Sequence, residues 1–314
     1  TRHQVVSKDL CPSVVAVCGV VLPKPAPLEA DQLKPSDLVL VDSTSRNLRR
    51  LALAVASQNA VLLEGPIGCG KTALVEFMAA TTGHTEAAKV LKVQLGDQTD
   101  SKMLLGMYRC TDVPGKFEWQ PGTLTQAVSK GHWILLEDID HAPLDVVSVL
   151  LPLMENKKLM IPGREDCLDV APGFQFFATR RMYYSGGGWH RPLNSHAALL
   201  DKYWTKLQMS NMTRAELKKV LDRRFPVLTV VSDRLLDIYC QLTGDKHSQL
   251  DTTTPQNLDH SLQEDSEDYS SPLEGRGLSL RDLLKWCERI TDGFDSTSAS
   301  TAQRVFQEAL DCFT

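Results

Sequence analysis

Short apolar runs recur along the first part of the chain. The runs cover Ala60 to Leu63, Val90 to Leu95, Trp133 to Leu136 and Phe174 to Ala178. We interpret their hydrophobicity as continuous rather than alternating, which is typical of strands that are buried on both faces of a parallel sheet covered by helices. The pattern therefore predicts four strands of such a sheet.

Between these runs, apolar residues recur at the spacing of helices. One helix is expected from Ser43, and another after the first strand and the loop that follows it. The apolar stripes comprise Leu48, Leu51, Ala52 and Val55 in the first helix and Leu74, Phe77, Met78 and Thr81 in the second. Strands interleaved with helices indicate an open α/β domain, whose ligands bind beyond the carboxyl ends of the strands. We assign this domain to residues 38–208.

The pattern becomes wholly helical in the last part of the chain. Thr213 with Glu216, and Ser279 with Asp282, have the spacing of capping boxes, in which two side chains satisfy backbone N–H groups at a helix N-terminus. We therefore expect a second, small all-α domain over residues 209–314.

Two segments have the composition of neither domain. Residues 1–37 contain closely spaced prolines, which favour extended chain over helix, so we expect an N-terminal arm or linker. Residues 244–277 are polar and acidic and have little apolar surface to offset the entropy of ordering. We expect a disordered insertion there.

Composition and charge argue against two classes of protein. The 314 residues are 42% hydrophobic and carry a net charge of −5. Holding a nucleic-acid backbone requires clustered Lys and Arg, so we expect no direct nucleic-acid partner. No apolar run approaches the roughly 20 residues that cross a bilayer, so we expect a soluble protein without a membrane partner. We interpret three basic pairs as solvated faces: Arg49 and Arg50, Arg180 and Arg181, and Arg223 and Arg224.

A glycine-rich segment lies between the first predicted strand and the helix that follows it. Its residues match the pattern GxxxxGK[ST]: Gly65, Pro66, Ile67, Gly68, Cys69, Gly70, Lys71 and Thr72. In this strand–loop–helix context, backbone N–H groups turn inward around phosphates, the lysine reaches the terminal phosphates and the threonine hydroxyl ligates magnesium. The motif therefore predicts a site for ATP and Mg²⁺, against the alternative of a glycine-rich turn with an accidental lysine.

Two acidic residues follow the strand at Trp133 to Leu136. Glu137 stands where the metal-side carboxylate is expected, and Asp138 stands where a second carboxylate would polarise the attacking water. This order reverses the more usual Asp-then-Glu and shortens the base by one methylene group. Because a displacement of about 1 Å can lower a rate on the order of 100-fold, we expect binding to survive better than hydrolysis. The alternative is a strand end with two solvated acids.

Beyond these two motifs, four further segments carry a family resemblance. They are Gln98 to Gly106, Phe117 to Leu124, Phe174 to Thr179 and Leu278 to Trp286. Together they resemble the dynein-related AAA+ modules of a very large ATPase that remodels precursors of the large ribosomal subunit, and most of all its first module. The resemblance implies an AAA+ P-loop parallel sheet flanked by helices, followed by a small all-α lid domain.

The resemblance also implies an assembly and a further site residue. Six such modules of one polypeptide form a pseudo-hexameric ring that releases assembly factors from pre-60S particles in the nucleolus and nucleoplasm. Arg281 matches the sensor-2 arginine, which touches the nucleotide phosphates from the lid. The alternative is that Arg281 lies on an exposed face with Lys285 and Glu288.

Two features of the family are missing. Arg181 stands where relatives carry the sensor-1 asparagine that holds the attacking water. No arginine finger is present at the matching position unless Lys202 or Lys206 replaces it, and a lysine lacks the planar fork of arginine. These departures leave two hypotheses: a module that binds and hydrolyses MgATP, or a catalytically weak or inactive module that holds ATP as a structural scaffold in the ring.

Overall fold

The computed structural model describes most of the chain. The described residues are 6–7, 14–23, 38–84, 90–113, 115–161, 167–185, 188–190, 196–243, 278–292, 294–295 and 298–313. The chain divides into two compact units, which are described separately. The first comprises Thr1–Pro66 and Gly70–Ser210, and the second comprises Ile67–Cys69 and Asn211–Thr314.

A five-stranded parallel sheet forms the centre of the first unit. The strands are β4 (Val61–Gly65), β5 (Val90–Gln94), β8 (Trp133–Glu137), β11 (Gln175–Arg181) and β14 (Thr205–Gln208). Their order in the sheet is β14-β4-β11-β8-β5, and every neighbouring pair is parallel. Because parallel strands end at the same edge, the residues after β4, β8 and β11 lie close together. The parallel order of all five strands confirms the predicted α/β fold class.

The three central strands have the burial that continuous apolar runs predict. All five residues of β4 are buried, as are the first four of β8 and the first six of β11. The prediction was wrong for β5, whose residues are exposed or half-buried. This strand lies at the edge of the sheet, and its Lys92 and Gln94 alternate with apolar residues, the pattern of a strand with one solvated face.

Helices cover the sheet and fill its core. They are α1 (Asp42–Ala56), α2 (Lys71–Thr81), α3 (Ser101–Leu105), α4 (Thr123–Lys130) and α5 (Leu144–Asn156). Leu104, Leu124 and Leu150, from three of these helices, are fully buried in one apolar cluster with Ile134 and Leu136 of β8. The helix expected from Ser43 begins one residue earlier, at Asp42.

Small antiparallel sheets surround the parallel sheet. Their strands are β1 (Val6–Ser7), β2 (Val14–Val17), β3 (Val20–Pro23), β6 (Gly106–Cys110), β7 (Phe117–Pro121), β9 (Lys158–Met160), β10 (Cys167–Asp169), β12 (Tyr183–Ser185) and β13 (Gly188–His190). Val15, Val17 and Leu22 are buried, and both β2 and β3 contact α1. Part of the expected N-terminal arm is thus a hairpin packed on the first unit.

The second unit is helical around one apolar core. Its helices are α6 (Arg214–Arg224), α7 (Ser232–Leu242), α8 (Leu280–Thr291) and α9 (Ala299–Phe313). Trp286 of α8 is fully buried against Tyr239 of α7 and Phe313 of α9. The expected insertion at 244–277 lies outside the described residues. No helix in the described ranges is long and apolar enough to span a membrane.

Candidate nucleotide-binding site

The glycine-rich segment connects the end of β4 at Gly65 to the start of α2 at Lys71. Gly68 and Gly70 have φ values of +79° and +89°, a region that side chains with a Cβ rarely adopt. Gly70 is also the N-cap of α2. Its backbone turns the chain directly into the helix, whose first N–H groups have no intrahelical partner. The segment therefore has the conformation of an anion-binding loop at a helix N-terminus.

Lys71 places its ammonium group on this loop. The Lys71 Nζ atom donates hydrogen bonds to the carbonyl oxygens of Gly65, at 2.8 Å, and Pro66, at 2.7 Å. The positive charge thus lies beside the same turn that presents the backbone N–H groups. From this position the ammonium is close to where phosphates bound by the loop would lie.

Thr72 and Glu137 come together from different elements. The Thr72 hydroxyl, in the first turn of α2, donates a hydrogen bond to Glu137 Oε1 at the end of β8. Within the described residues, no group of three or more His, Cys, Asp or Glu side chains could hold a metal ion. Mg²⁺, however, is commonly bound by one or two protein oxygen ligands together with waters and substrate phosphates. A hydroxyl and a carboxylate at the phosphate loop therefore fit Mg²⁺ that binds with a triphosphate.

Asp138 is held by a network of side chains. Its carboxylate accepts hydrogen bonds from Arg181 Nε at 2.9 Å, from Arg181 Nη2 at 2.6 Å and from Gln94 Nε2 at 2.6 Å. The Asp138 backbone N–H donates to the Thr179 hydroxyl at 3.0 Å. The φ of Asp138 is +56°, the left-handed region that Asp tolerates better than most residues. The predicted water-polarising carboxylate is therefore in an ion pair.

The partners of Asp138 set its charge. Burial raises the pKa of Asp138, but hydrogen bonds from Arg181 and Gln94 and the charges of Arg181 and Lys71 outweigh that effect, so the pKa is lowered. The carboxylate is ionised at neutral pH. Its lowered pKa makes it a weak proton acceptor, because a general base works best when its pKa is near the operating pH.

The interpretation of Arg180 and Arg181 as a solvated face was wrong. The Arg180 side chain is 3% exposed and donates to Glu64 at 3.2 Å and to Asp201 at 2.6 Å. Asp201 also pairs with Lys206 at 2.9 Å. Arg180 is thus paired with a carboxylate of β4 and with one in the segment before β14, as a buried charge requires. Arg181 pairs with Asp138.

Sequence reasoning missed Gln94 and Thr179. Each is a polar residue near the carboxyl end of a strand that adjoins β8, and Gln94 pairs in register with Glu137. Such residues meet the site because all the strands end at the same edge. The sequence signal that could have identified both residues is their position at the end of an apolar run.

Three further residues were candidates for the site. Arg281 is exposed on α8, as are Lys285 and Glu288, and its role stays a prediction. Lys206 pairs with Asp201 of its own unit. Lys202 is exposed, with its ammonium 4.7 Å from the centre of the Tyr203 ring. Of the two lysines, Lys202 is the more exposed.

Two protein-family models match the chain. Residues 60–225 match the model of the AAA domain of the dynein-related subfamily, and residues 216–314 match the midasin AAA lid domain. The first match covers more than half of the chain. The chain therefore belongs to the dynein-related subfamily of AAA domains, a family of ATPases.

The chain is similar to midasin in particular. It is 36% identical over 306 residues to midasin from Dictyostelium discoideum, an alignment that covers 88% of this chain and 5% of that protein. It is 25% identical over 280 residues to midasin from Giardia intestinalis, covering 89% of this chain and 5% of that protein. The chain thus spans about a twentieth of the length of these relatives and corresponds to a single AAA+ module of midasin.

A solved structure shows the same fold. The crystal structure of NtrX from Brucella abortus in complex with ADP has a TM-score of 0.52 at 15% identity, and the match covers 90% of this chain and 56% of that one. At this identity the likeness extends to the fold alone.

Proposed function

We propose that this chain is the MgATP-binding module of a ring-forming mechanochemical ATPase. The observation that carries the proposal is the conformation of the phosphate loop. Gly68 and Gly70 turn the backbone into α2, and the ammonium of Lys71 lies on the loop carbonyls. Backbone N–H groups, a helix N-terminus and a fixed cation together bind the phosphates of a nucleotide.

Each predicted site residue has a distinct part in binding. Gly65 to Gly70 form the phosphate loop and, except for Pro66, would provide backbone N–H groups, and Lys71 would neutralise phosphate charge. Thr72 and Glu137, already in contact, would hold Mg²⁺. When bound, the metal neutralises charge that develops on the phosphate oxygens. Arg281 would contact the phosphates from the lid, so that nucleotide binding favours one arrangement of the two units over another.

The proposal for a larger assembly is based on the similarity of the chain to midasin. Since the midasins are about 20 times longer than this alignment, the module would lie among other AAA+ modules of one long polypeptide. We propose a pseudo-hexameric ring, with this module first, that remodels pre-60S particles and releases assembly factors in the nucleolus and nucleoplasm. The partners of the ring would then be proteins of the particle.

The test is calorimetric titration of the nucleotide-free chain with MgATP. We expect one binding site, and we expect Lys71→Ala to weaken affinity by at least tenfold, because a charge-assisted contact to phosphate contributes about 1.5–3 kcal/mol. Lys130→Ala is the matched control, since Lys130 is an exposed lysine at the end of α4. Equal affinity of the parent chain and Lys71→Ala would reject the site.

A second candidate function is favoured by one observation. Asp138, the predicted water-polarising residue, is engaged by Arg181 and Gln94. A module with this pair would bind ATP and hydrolyse it slowly or not at all, and would use the nucleotide as a structural ligand that stabilises the ring.

A further inference from the structure

Arg181 and Asp138 form a forked ion pair. Two nitrogen atoms of the guanidinium contact the two different oxygens of the carboxylate, at 2.9 Å and 2.6 Å. Such bidentate pairs have stronger and more directional hydrogen bonds than single contacts. Gln94 adds a third hydrogen bond, to Oδ2 at 2.6 Å.

These contacts occupy most of the hydrogen-bonding positions of the Asp138 carboxylate. An ionised carboxylate offers about four acceptor positions. Three are taken in this structure, two by Arg181 and one by Gln94. A general base must accept a hydrogen bond from the water that it activates. With about one position left on Asp138, Arg181 and Gln94 restrict where that water can bind.

The backbone around the pair is also fixed. The Asp138 N–H donates to the Thr179 hydroxyl, and Thr179 and Arg181 are two residues apart on β11, so they share one face of the strand. Between them, Arg180 points to the other face and is held by Glu64 and Asp201. The end of β11 is therefore anchored from both faces, and it carries Arg181 at a set distance from Asp138.

The two members of the ion pair differ in exposure. The Arg181 side chain is 37% exposed, whereas that of Asp138 is 11% exposed. The guanidinium therefore has solvent beside it, whereas the carboxylate has little room to move. If the pair opens, Arg181 is the partner that moves.

We propose that Arg181 is a positioning residue that withholds Asp138 from the attacking water and so keeps ATP turnover by this module slow. The inference rests on the proposed function, because it concerns the same nucleotide site. In the step that is withheld, the water oxygen bonds to the γ-phosphorus, the bond from that phosphorus to the leaving oxygen of ADP breaks, and the water proton passes to the base. Asp138 becomes available as that base when Arg181 is removed.

The experiment compares steady-state ATP turnover of the 314-residue chain and its variants. We expect Arg181→Asn to raise kcat by at least tenfold while KM for ATP changes less than twofold. The double variant with Asp138→Asn should lose that increase. Arg181→Gln is a second, bulkier replacement, and Arg46→Asn, at an exposed arginine of α1, is the control that should leave turnover unchanged. Unchanged or lower turnover in both Arg181 variants would overturn the inference.

A readout without nucleotide tests the pair itself. In the nucleotide-free protein, Arg181→Asn and Asp138→Asn should each lower Tm, and the double variant should lower Tm by less than the sum of the two, because both single changes remove one interaction. Additive losses of Tm would show that the two side chains do not interact and would overturn the inference.

The outcomes separate the two proposals. Binding of MgATP by the parent chain without the expected rise in Arg181→Asn would overturn the role of Arg181 and leave the nucleotide site intact. Absence of MgATP binding by the parent chain would overturn both.

Discussion

At the scale of single residues, the site depends on charges that are taken out of water together with their partners. Glu64, Arg180 and Asp201 form one such group, and Asp138 with Arg181 forms another. Sequence reasoning identified Glu137 and Asp138 from their place after an apolar strand. It did not identify the partners, because pairing depends on which strands are neighbours, and the strand order is a tertiary property.

Because Arg180 is buried with two carboxylate partners, replacing it is expected to lower stability strongly. Arg180→Met removes the guanidinium from two carboxylates, one of them in the core of the sheet, and should lower the free energy of unfolding by about 3–5 kcal/mol. Urea denaturation of both proteins measures this difference. Arg109→Met, at an exposed arginine of β6, should change stability by less than about 0.5 kcal/mol. Equal effects of the two changes would contradict the ion-pair assignment.

At the scale of elements, local signals correctly predicted the helices α1, α2, α6 and α8 and the three central strands. The α6 capping box is present as predicted: the Glu216 N–H donates to Thr213 Oγ1, and the Thr213 N–H donates to Glu216 Oε2. In α8, the N–H and hydroxyl of Ser279 both donate to Asp282. The hairpin of β6 and β7 was not predicted, because its pairing is antiparallel between mostly exposed residues and leaves no apolar run.

The capping box of α6 can be tested by itself. Thr213→Ala removes the hydroxyl that accepts from the Glu216 N–H and should lower the free energy of unfolding of the helical unit by about 1 kcal/mol. Thr213→Ser keeps a hydroxyl at the same position and should retain most of the stability. Chemical denaturation followed by circular dichroism measures both variants. If the serine variant lost as much stability as the alanine variant, the hydroxyl would not be the source of the effect.

At the scale of the whole molecule, the phosphate loop and the acidic pair could be located from sequence because each is a contiguous motif beside an apolar strand. The parallel sheet brings these motifs to one edge, where Thr72 contacts Glu137 and Gln94 contacts Asp138. The fold and the loop thus follow from local pattern. The ion pairing of Asp138 does not follow from local pattern, because its partner Arg181 is distant in sequence.

A crystal structure of this chain with Mg²⁺ and a non-hydrolysable ATP analogue tests the central claim most directly. We expect the β- and γ-phosphates to lie against the backbone N–H groups of Gly68 to Thr72. We also expect the Lys71 ammonium to leave the carbonyls of Gly65 and Pro66 and to contact phosphate oxygens. Phosphates bound away from this loop, or a Lys71 ammonium that remains on the two carbonyls beside bound nucleotide, would contradict the account.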